Sequence, residues 1–241
     1  MAVRGTLSAL AIAALSVTAL SACDVAFASS TYEDDAQLKG KVTAVRLDDI
    51  GSGSVTLRGG SSKTSLHRRV KYRKDKPEAP TYSIENGVLE LRGCGSRCSV
   101  SYTVDLPAGL PVSGGTSNGS ITLSKVGKVD VSTDSGSVRL DGATGPVKVR
   151  TDNGEVRGSG LKGGVDAETD NGDVDLTPGT PQNVRAKTDN GEVTVTMPAG
   201  RYRVSTHTGN GDRRLGIPND ASAQYRLDLS TDNGDITTKT A

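Results

Sequence analysis

In the C-terminal half of the chain, polar and apolar residues alternate in a fixed frame around one recurring hexad. Its fullest copy is Thr151-Asp152-Asn153-Gly154-Glu155-Val156; Thr169, Thr188 and Thr231 open others, and Thr116, Thr133 and Thr208 open looser ones. These threonines recur at intervals of 17, 18, 18, 19, 20 and 23 residues. A short, drifting period of this kind marks stacked structural units. Four places before the threonine stand Val129, Val147, Val165, Val184, Val204 and Leu227, and two before it Val131, Val149, Ala167, Ala186, Thr206 and Leu229. After the turn come Val138, Val156, Val174, Val193 and Ile236, and two places later Leu140, Leu176, Val195 and Leu215. Apolar residues at every second place on both arms predict half-buried strands. The threonine shares their parity, so it is expected to face inward and stack on its neighbours.

Each unit therefore reads strand, turn, strand. The turns fall at Asn118-Gly119, Gly136, Asn153-Gly154, Asn171-Gly172, Asn190-Gly191 and Asn233-Gly234. Asn and Gly tolerate positive φ, which a tight corner is expected to require. Either an antiparallel array of Asn-Gly hairpins or a parallel coil fits this pattern. Outward charges favour the coil. Asp130, Lys148, Asp166 and Arg185 occupy one equivalent position, and Ser132, Arg150, Glu168 and Lys187 another, with the sign alternating from unit to unit. In a parallel stack such residues lie about 4.8 Å apart, and alternation sets opposite charges side by side. The prediction is an all-β parallel β-helix, or β-solenoid, of about 18–20-residue coils over residues 111–241, stacked in chain order.

Residues 41–110 read as an N-terminal β region that includes a β-hairpin. Gly53-Ser54-Val55 resembles a worn copy of the repeat, and Glu85-Asn86-Gly87-Val88 carries a hairpin turn. Cys94 and Cys98 lie between two predicted strands, and a disulfide across that hairpin is the simplest use for them outside the cytoplasm. The basic run of Arg68, Arg69, Lys71, Arg73, Lys74 and Lys76 reads as the solvated face of an edge strand.

The N-terminus adds an address. Met1-Ala2-Val3-Arg4 is basic, residues 7–20 are apolar or small, and Leu20-Ser21-Ala22-Cys23 follows. Residues 1–22 have the parts of an export signal. Leu-Ser-Ala-Cys resembles the bacterial lipobox, which implies lipidation of Cys23 and a lipid-anchored protein on the extracytoplasmic face of the cell membrane. Polar residues 23–40, with Glu33-Asp34-Asp35 among them, are expected to form a flexible tether.

Composition fits a thin core. The 241 residues include 30 Gly, one Phe and no Trp, so no large side chains fill a wide interior. A net charge of +1 gives no support to nucleic-acid binding, which needs a basic face. Catalytic signals are absent from the sequence: only His67 and His207 occur, with no nucleophile elbow, phosphate loop or His-rich metal motif. No cofactor is expected. Stacked corners would align Asp134, Asp152, Asp170 and Asp189 into an acidic row, a minor candidate for Ca²⁺, although Asx-type turns explain these residues more simply.

The lipobox, Gly53-Ser54-Val55, Val104-Asp105-Leu106-Pro107-Ala108-Gly109 and the Gly-Glu-Val or Gly-Asp-Val repeats together resemble the bacterial adhesin-like β-strand repeat family, in its lipoprotein form. The resemblance covers residues 42–240. It implies a right-handed solenoid at the cell envelope and carries over no catalytic residue. Two functions are compatible with it: a non-catalytic binding or structural module facing a cell-wall glycan or surface protein, and an enzyme acting on envelope polysaccharide through a carboxylate pair.

Overall fold

Parallel stacking governs almost the whole chain. A computed structural model describes residues 29–241; the expected signal (1–22), Cys23 and residues 24–28 lie outside the described residues. The first strands are β1 (Ser29–Gln37), β2 (Ala44–Asp48), β3 (Val55–Gly59), β4 (Ser65–Arg73), β5 (Tyr82–Glu85), β6 (Val88–Arg92) and β7 (Cys98–Leu106). The repeats supply β8 (Val112–Asn118), β9 (Ile121–Ser124), β10 (Val129–Ser135), β11 (Val138–Asp141), β12 (Val147–Asn153), β13 (Val156–Ser159) and β14 (Val165–Asn171). They continue as β15 (Val174–Thr177), β16 (Val184–Asn190), β17 (Val193–Met197), β18 (Tyr202–Asn210), β19 (Arg213–Leu215), β20 (Tyr225–Asn233) and β21 (Ile236–Thr240).

Each coil gives one strand to each of two sheets. One sheet runs β1-β4-β7-β3-β9-β11-β13-β15-β17-β21-β19, the other β18-β20-β16-β14-β12-β10-β8-β2-β6-β5. The predicted register holds: Val129, Val131 and Thr133 of β10 face Val147, Val149 and Thr151 of β12. Alternate residues are buried along both arms, and Val126, Ala143 and Leu161 bury the return connection. This is a β-solenoid, with all repeat strands parallel.

Four features differ from the sequence reading. First, the coils do not stack in chain order. The last coil, β20 and β21, sits between β16–β17 and the preceding coil, β18–β19. Leu227, Leu229 and Ile236 of that last coil are fully buried. The outer coil instead carries partly exposed Val204 and Thr206, and Arg213 where other coils have Val or Ile. Burying the more apolar coil decides the order. An equivalent exchange occurs at the other end, where β2–β3 sits between β6–β7 and β8–β9. Solenoid coils therefore begin well before residue 111.

Second, residues 29–37 are not a tether. They form β1, paired antiparallel with β4. Glu33, Asp34 and Asp35 stand opposite Arg69, Arg68 and His67, with Arg68 Nη2 2.5 Å from Asp34 and Arg69 Nε 2.6 Å from Glu33. A strand added to an existing edge gains its backbone bonds there, so charge pairing replaces the apolar period that the segment lacks. The hydrogen bond from Arg68 holds the Asp34 carboxyl below the ordinary range despite some desolvation. Third, and for the same reason, the basic β4 is not an edge: β1 and β7 flank it.

Fourth, Cys94 and Cys98 form a disulfide, with Cα atoms 5.6 Å apart, but across a corner rather than a hairpin. β6 belongs to one sheet and β7 to the other. The hairpin predicted at Asn86-Gly87 is present between β5 and β6, with both turn residues at positive φ. Below the corner Tyr102 is buried, and its one hydroxyl proton is shared between the carbonyls of Thr81 and Arg92, 2.6 and 2.7 Å away. Burial pushes that phenol up to about 12.

Candidate functional site

The repeated corner is flanked by charged rows on the exposed faces of both arms. Thr151, Thr169, Thr188 and Thr231 are fully buried. Each donates its hydroxyl to a glycine carbonyl of the coil beneath: Thr151 to Gly136, Thr169 to Gly154, Thr188 to Gly172 and Thr231 to Gly191, at 2.9–3.0 Å. The amide N–H of the same glycine donates upward, as Gly154 N–H does to Asn171 O at 2.9 Å. One glycine peptide thus joins two coils by both of its polar groups. The expected inward threonine is present, but it acts as a latch through its hydroxyl as well as a stacking group.

The glycine is required for two reasons. The expected positive φ is present at Gly119, Gly136, Gly172, Gly191, Gly211 and Gly234, at 147–159°, a region that side-chain-bearing residues rarely adopt, although the motif asparagines of the repeats do not share it. Close approach is the second reason, and at Gly154, which has no such φ, the deciding one. A Cβ on Gly136, Gly154, Gly172, Gly191 or Gly234 would lie 2.0–2.2 Å from the glycine carbonyl oxygen of the adjoining coil. Gly119 meets Gly53 in the same way.

Above the glycines runs an exposed asparagine ladder. Asn171 donates to the Asn153 side-chain oxygen at 3.2 Å, Asn190 to Asn171 at 3.1 Å, Asn233 to Asn190 at 3.0 Å and Asn210 to Asn233 at 3.0 Å. Each amide spends one donor and one acceptor on its neighbours. The identical residue at identical register was the signal for this ladder in the sequence.

The latch yields a direct expectation. Thr169→Val keeps shape and β-branching but removes the donor to Gly154 O. It is expected to destabilise by about 1–2 kcal/mol, the cost of a buried polar group left unpaired, whereas Thr169→Ser keeps the bond. Denaturant midpoints of the two variants, measured at equal m-value, check this; equal loss in both would discard the latch.

Several acidic residues beside the corners are engaged within the protein. Lys187 Nζ lies 3.1 Å from Asp189 and 3.6 Å from Glu168, and Arg150 lies 2.9 Å from Glu168. The row of Arg150, Glu168 and Lys187 is thus a ladder of ion pairs, whereas Asp130, Lys148, Asp166 and Arg185 alternate in sign without closing to ion-pair distance. Arg157 pairs with Glu155. Asp173 and Asp235 accept the backbone N–H groups of Glu192 and Asp212 at 2.8 Å. That backbone bond, with Arg214 beside it, holds the Asp235 carboxyl low. Asp134, Asp152, Asp170 and Asp189 stand between the paired threonines and asparagines, on successive coils. Among the described residues, no three His, Cys, Asp or Glu side chains converge to hold a metal ion. His207 is exposed on the outer coil, and His67 lies 2.9 Å from Asp35.

Residues 102–240 match the family described as Toastrack DUF4097. The chain belongs to this family. The Toastrack segment holds the threonine latches and asparagine ladder of the repeats, while the charge-paired β1 and β4 precede it. No curated protein matches the chain. Among solved structures it is similar to a candidate adhesin of Bacteroides fragilis, at 15% identity over 88% of this chain and 97% of that one, TM-score 0.48. A candidate adhesin of Parabacteroides distasonis gives 15% identity over 86% and 97%, TM-score 0.47. A candidate cell adhesion protein of Clostridium sporogenes gives 15% identity over 88% and 100%, TM-score 0.39.

Proposed function

We propose that this Toastrack protein is a non-catalytic binding module of the cell envelope, lipid-anchored through Cys23 and facing outward. Its ligand is an extended cell-wall glycan or a surface protein, and nucleic acid is not a partner. The observation that carries the reading is the pair of latched sheets, which present polar side chains in straight rows at about 4.8 Å steps. Such rows suit ligands that repeat. Glu155, Glu168, Asp173, Asp189 and Asp235, already held by lysine, arginine or backbone N–H, are poorly placed to act as a free acid and base pair, which counts against the polysaccharide-cleaving alternative at those positions. The lipobox residues Leu20-Ser21-Ala22-Cys23 support the anchor.

Fractionation of cells producing the full chain and a Cys23→Ala variant tests the anchor. The unaltered chain is expected in the membrane fraction, released by detergent but not by salt, and the variant in the soluble fraction. Equal partitioning of the two would sink it. Incubation with isolated wall material tests the module: retention without release of reducing sugar supports binding, and release of sugar supports the enzyme.

A further inference from the structure

Where the row of alternating charge reaches the C-terminal coils, a groove opens on the outer face of the second sheet. It has a volume of about 670 Å³ and runs across the first residues of β12, β14, β16, β20 and β18. Five adjacent coils make it about 19 Å long, four steps of about 4.8 Å. At one end the floor is low and carries little side chain, with Pro146 and Gly164 in line. At the other end stand Arg185, Arg226 and Arg203, all exposed.

The arginines are arranged at a cost. Arg203 and Arg226 are direct partners in strand register, and like charges set side by side destabilise a sheet. One other arginine pair among the described residues stands in register, Arg139 and Arg157, and it is relieved because Arg157 turns onto Glu155. Among the described residues, Arg185, Arg203 and Arg226 have no carboxylate within ion-pair distance, although Asp166 and Asp228 flank Arg185 in register. Arg203, which lines the groove, is also held in place: its Nε and Nη2 donate to the Ala221 carbonyl at 3.1 and 2.6 Å. Asn183 accepts the Arg226 backbone N–H at 2.9 Å and holds that strand entry in place.

We infer that this groove binds a linear polysaccharide bearing carboxylates, with Arg203, Arg226 and Arg185 holding its acid groups. The inference rests on the envelope-binding reading for its setting and deepens it by naming a site and a ligand class. Guanidinium groups take carboxylates in paired hydrogen bonds, and an anion between Arg203 and Arg226 removes their repulsion. Asp166 and Asp228 decide which polyanion fits. Their oxygens accept hydrogen bonds, and sugar hydroxyls donate them, so an acidic glycan satisfies both signs of the groove. Polyphosphate offers no such donor. An acidic peptide would lay its backbone N–H and C=O groups over the Pro146–Gly164 end, where few partners exist for them.

Titration of the full chain with polygalacturonate, beside dextran, polyphosphate and polyglutamate, tests this. Binding to polygalacturonate is expected to be tightest and to weaken with salt. The double variant Arg203→Gln/Arg226→Gln is expected to weaken it at least ten-fold while its melting midpoint moves by no more than about 2 °C, because loss of the like-charge pair offsets loss of the exposed Arg203 bonds to Ala221. A variant that binds as the original does would overturn the site. Equal affinity for dextran, polyphosphate or polyglutamate would overturn the ligand class. If the double variant still retains isolated wall material as the original does, this groove is excluded while the envelope module stands; if neither retains it, both fail.

Discussion

Gly154→Ala is expected to lower the melting midpoint by roughly 10 °C, equivalent to about 3 kcal/mol at the upper end of what overpacking costs in a domain of this size. The added methyl would stand 2.1 Å from the Gly136 oxygen, 2.5 Å from its carbon and 3.0 Å from the Ser137 nitrogen. All three are backbone atoms, so no side chain can swing aside. Relief requires the two coils to part, which also lengthens the Thr151 latch to Gly136 and the Gly136 N–H bond to Asn153. Gly164→Ala is the matched control. Its Cβ would meet only Asn183 O, at 3.8 Å, an ordinary contact, and the midpoint should move by no more than about 2 °C, as for a surface change. Differential scanning calorimetry of both variants separates close approach from a general intolerance of alanine; equal shifts would refute the account.

The second large effect concerns the order of the coils. Leu229→Ala is expected to cost about 3 kcal/mol, as for a fully buried leucine whose site cannot collapse. Val204→Ala, two positions before the equivalent of that leucine in the preceding coil, should cost less than about 1 kcal/mol because its side chain is partly exposed. Stacking in chain order predicts the reverse ranking, with the last coil at the frayed end and the preceding one inside. Chemical denaturation of the two variants distinguishes the orders, and hydrogen exchange adds a second view. Amides of β20 should be among the slowest to exchange and those of β18 among the faster.

Much of this was legible in residues. The two-residue period located both arms of every repeat, and the alternating signs at Asp130, Lys148, Asp166 and Arg185 distinguished parallel coils from hairpins. The same row also held the true order of the end coils. Read in space it continues from Arg185 to Asp228, preserving the alternation, whereas chain order places Ser205 after Arg185. Arg213, at a place where other coils have Val or Ile, likewise marked its coil as an outer one. These signals need a comparison between alternative stackings, and a single pass along the chain does not make one. β1 was missed because its stability comes from a partner 28 to 44 residues away, and composition describes only what a segment buries alone. The match of Glu33-Asp34-Asp35 to His67-Arg68-Arg69 was the available clue. The glycine's φ was legible because a corner suggests it, while the close approach of neighbouring coils is a property of the stack and was not. The arginine groove was invisible for a related reason: Arg203 and Arg226 are 23 residues apart in the chain and adjacent only across strands.

The interleaved C-terminal end also bears on mechanics. A load entering through β21 falls on a strand bonded along both edges, to β17 on one side and β19 on the other. In a stack built in chain order the same load would reach an outermost strand and peel it off one bond at a time. Here two rows of bonds must give way together, and the coil that carries the pull is shielded by one that does not. The arrangement gives β21 a resistance in shear that an outermost strand would lack.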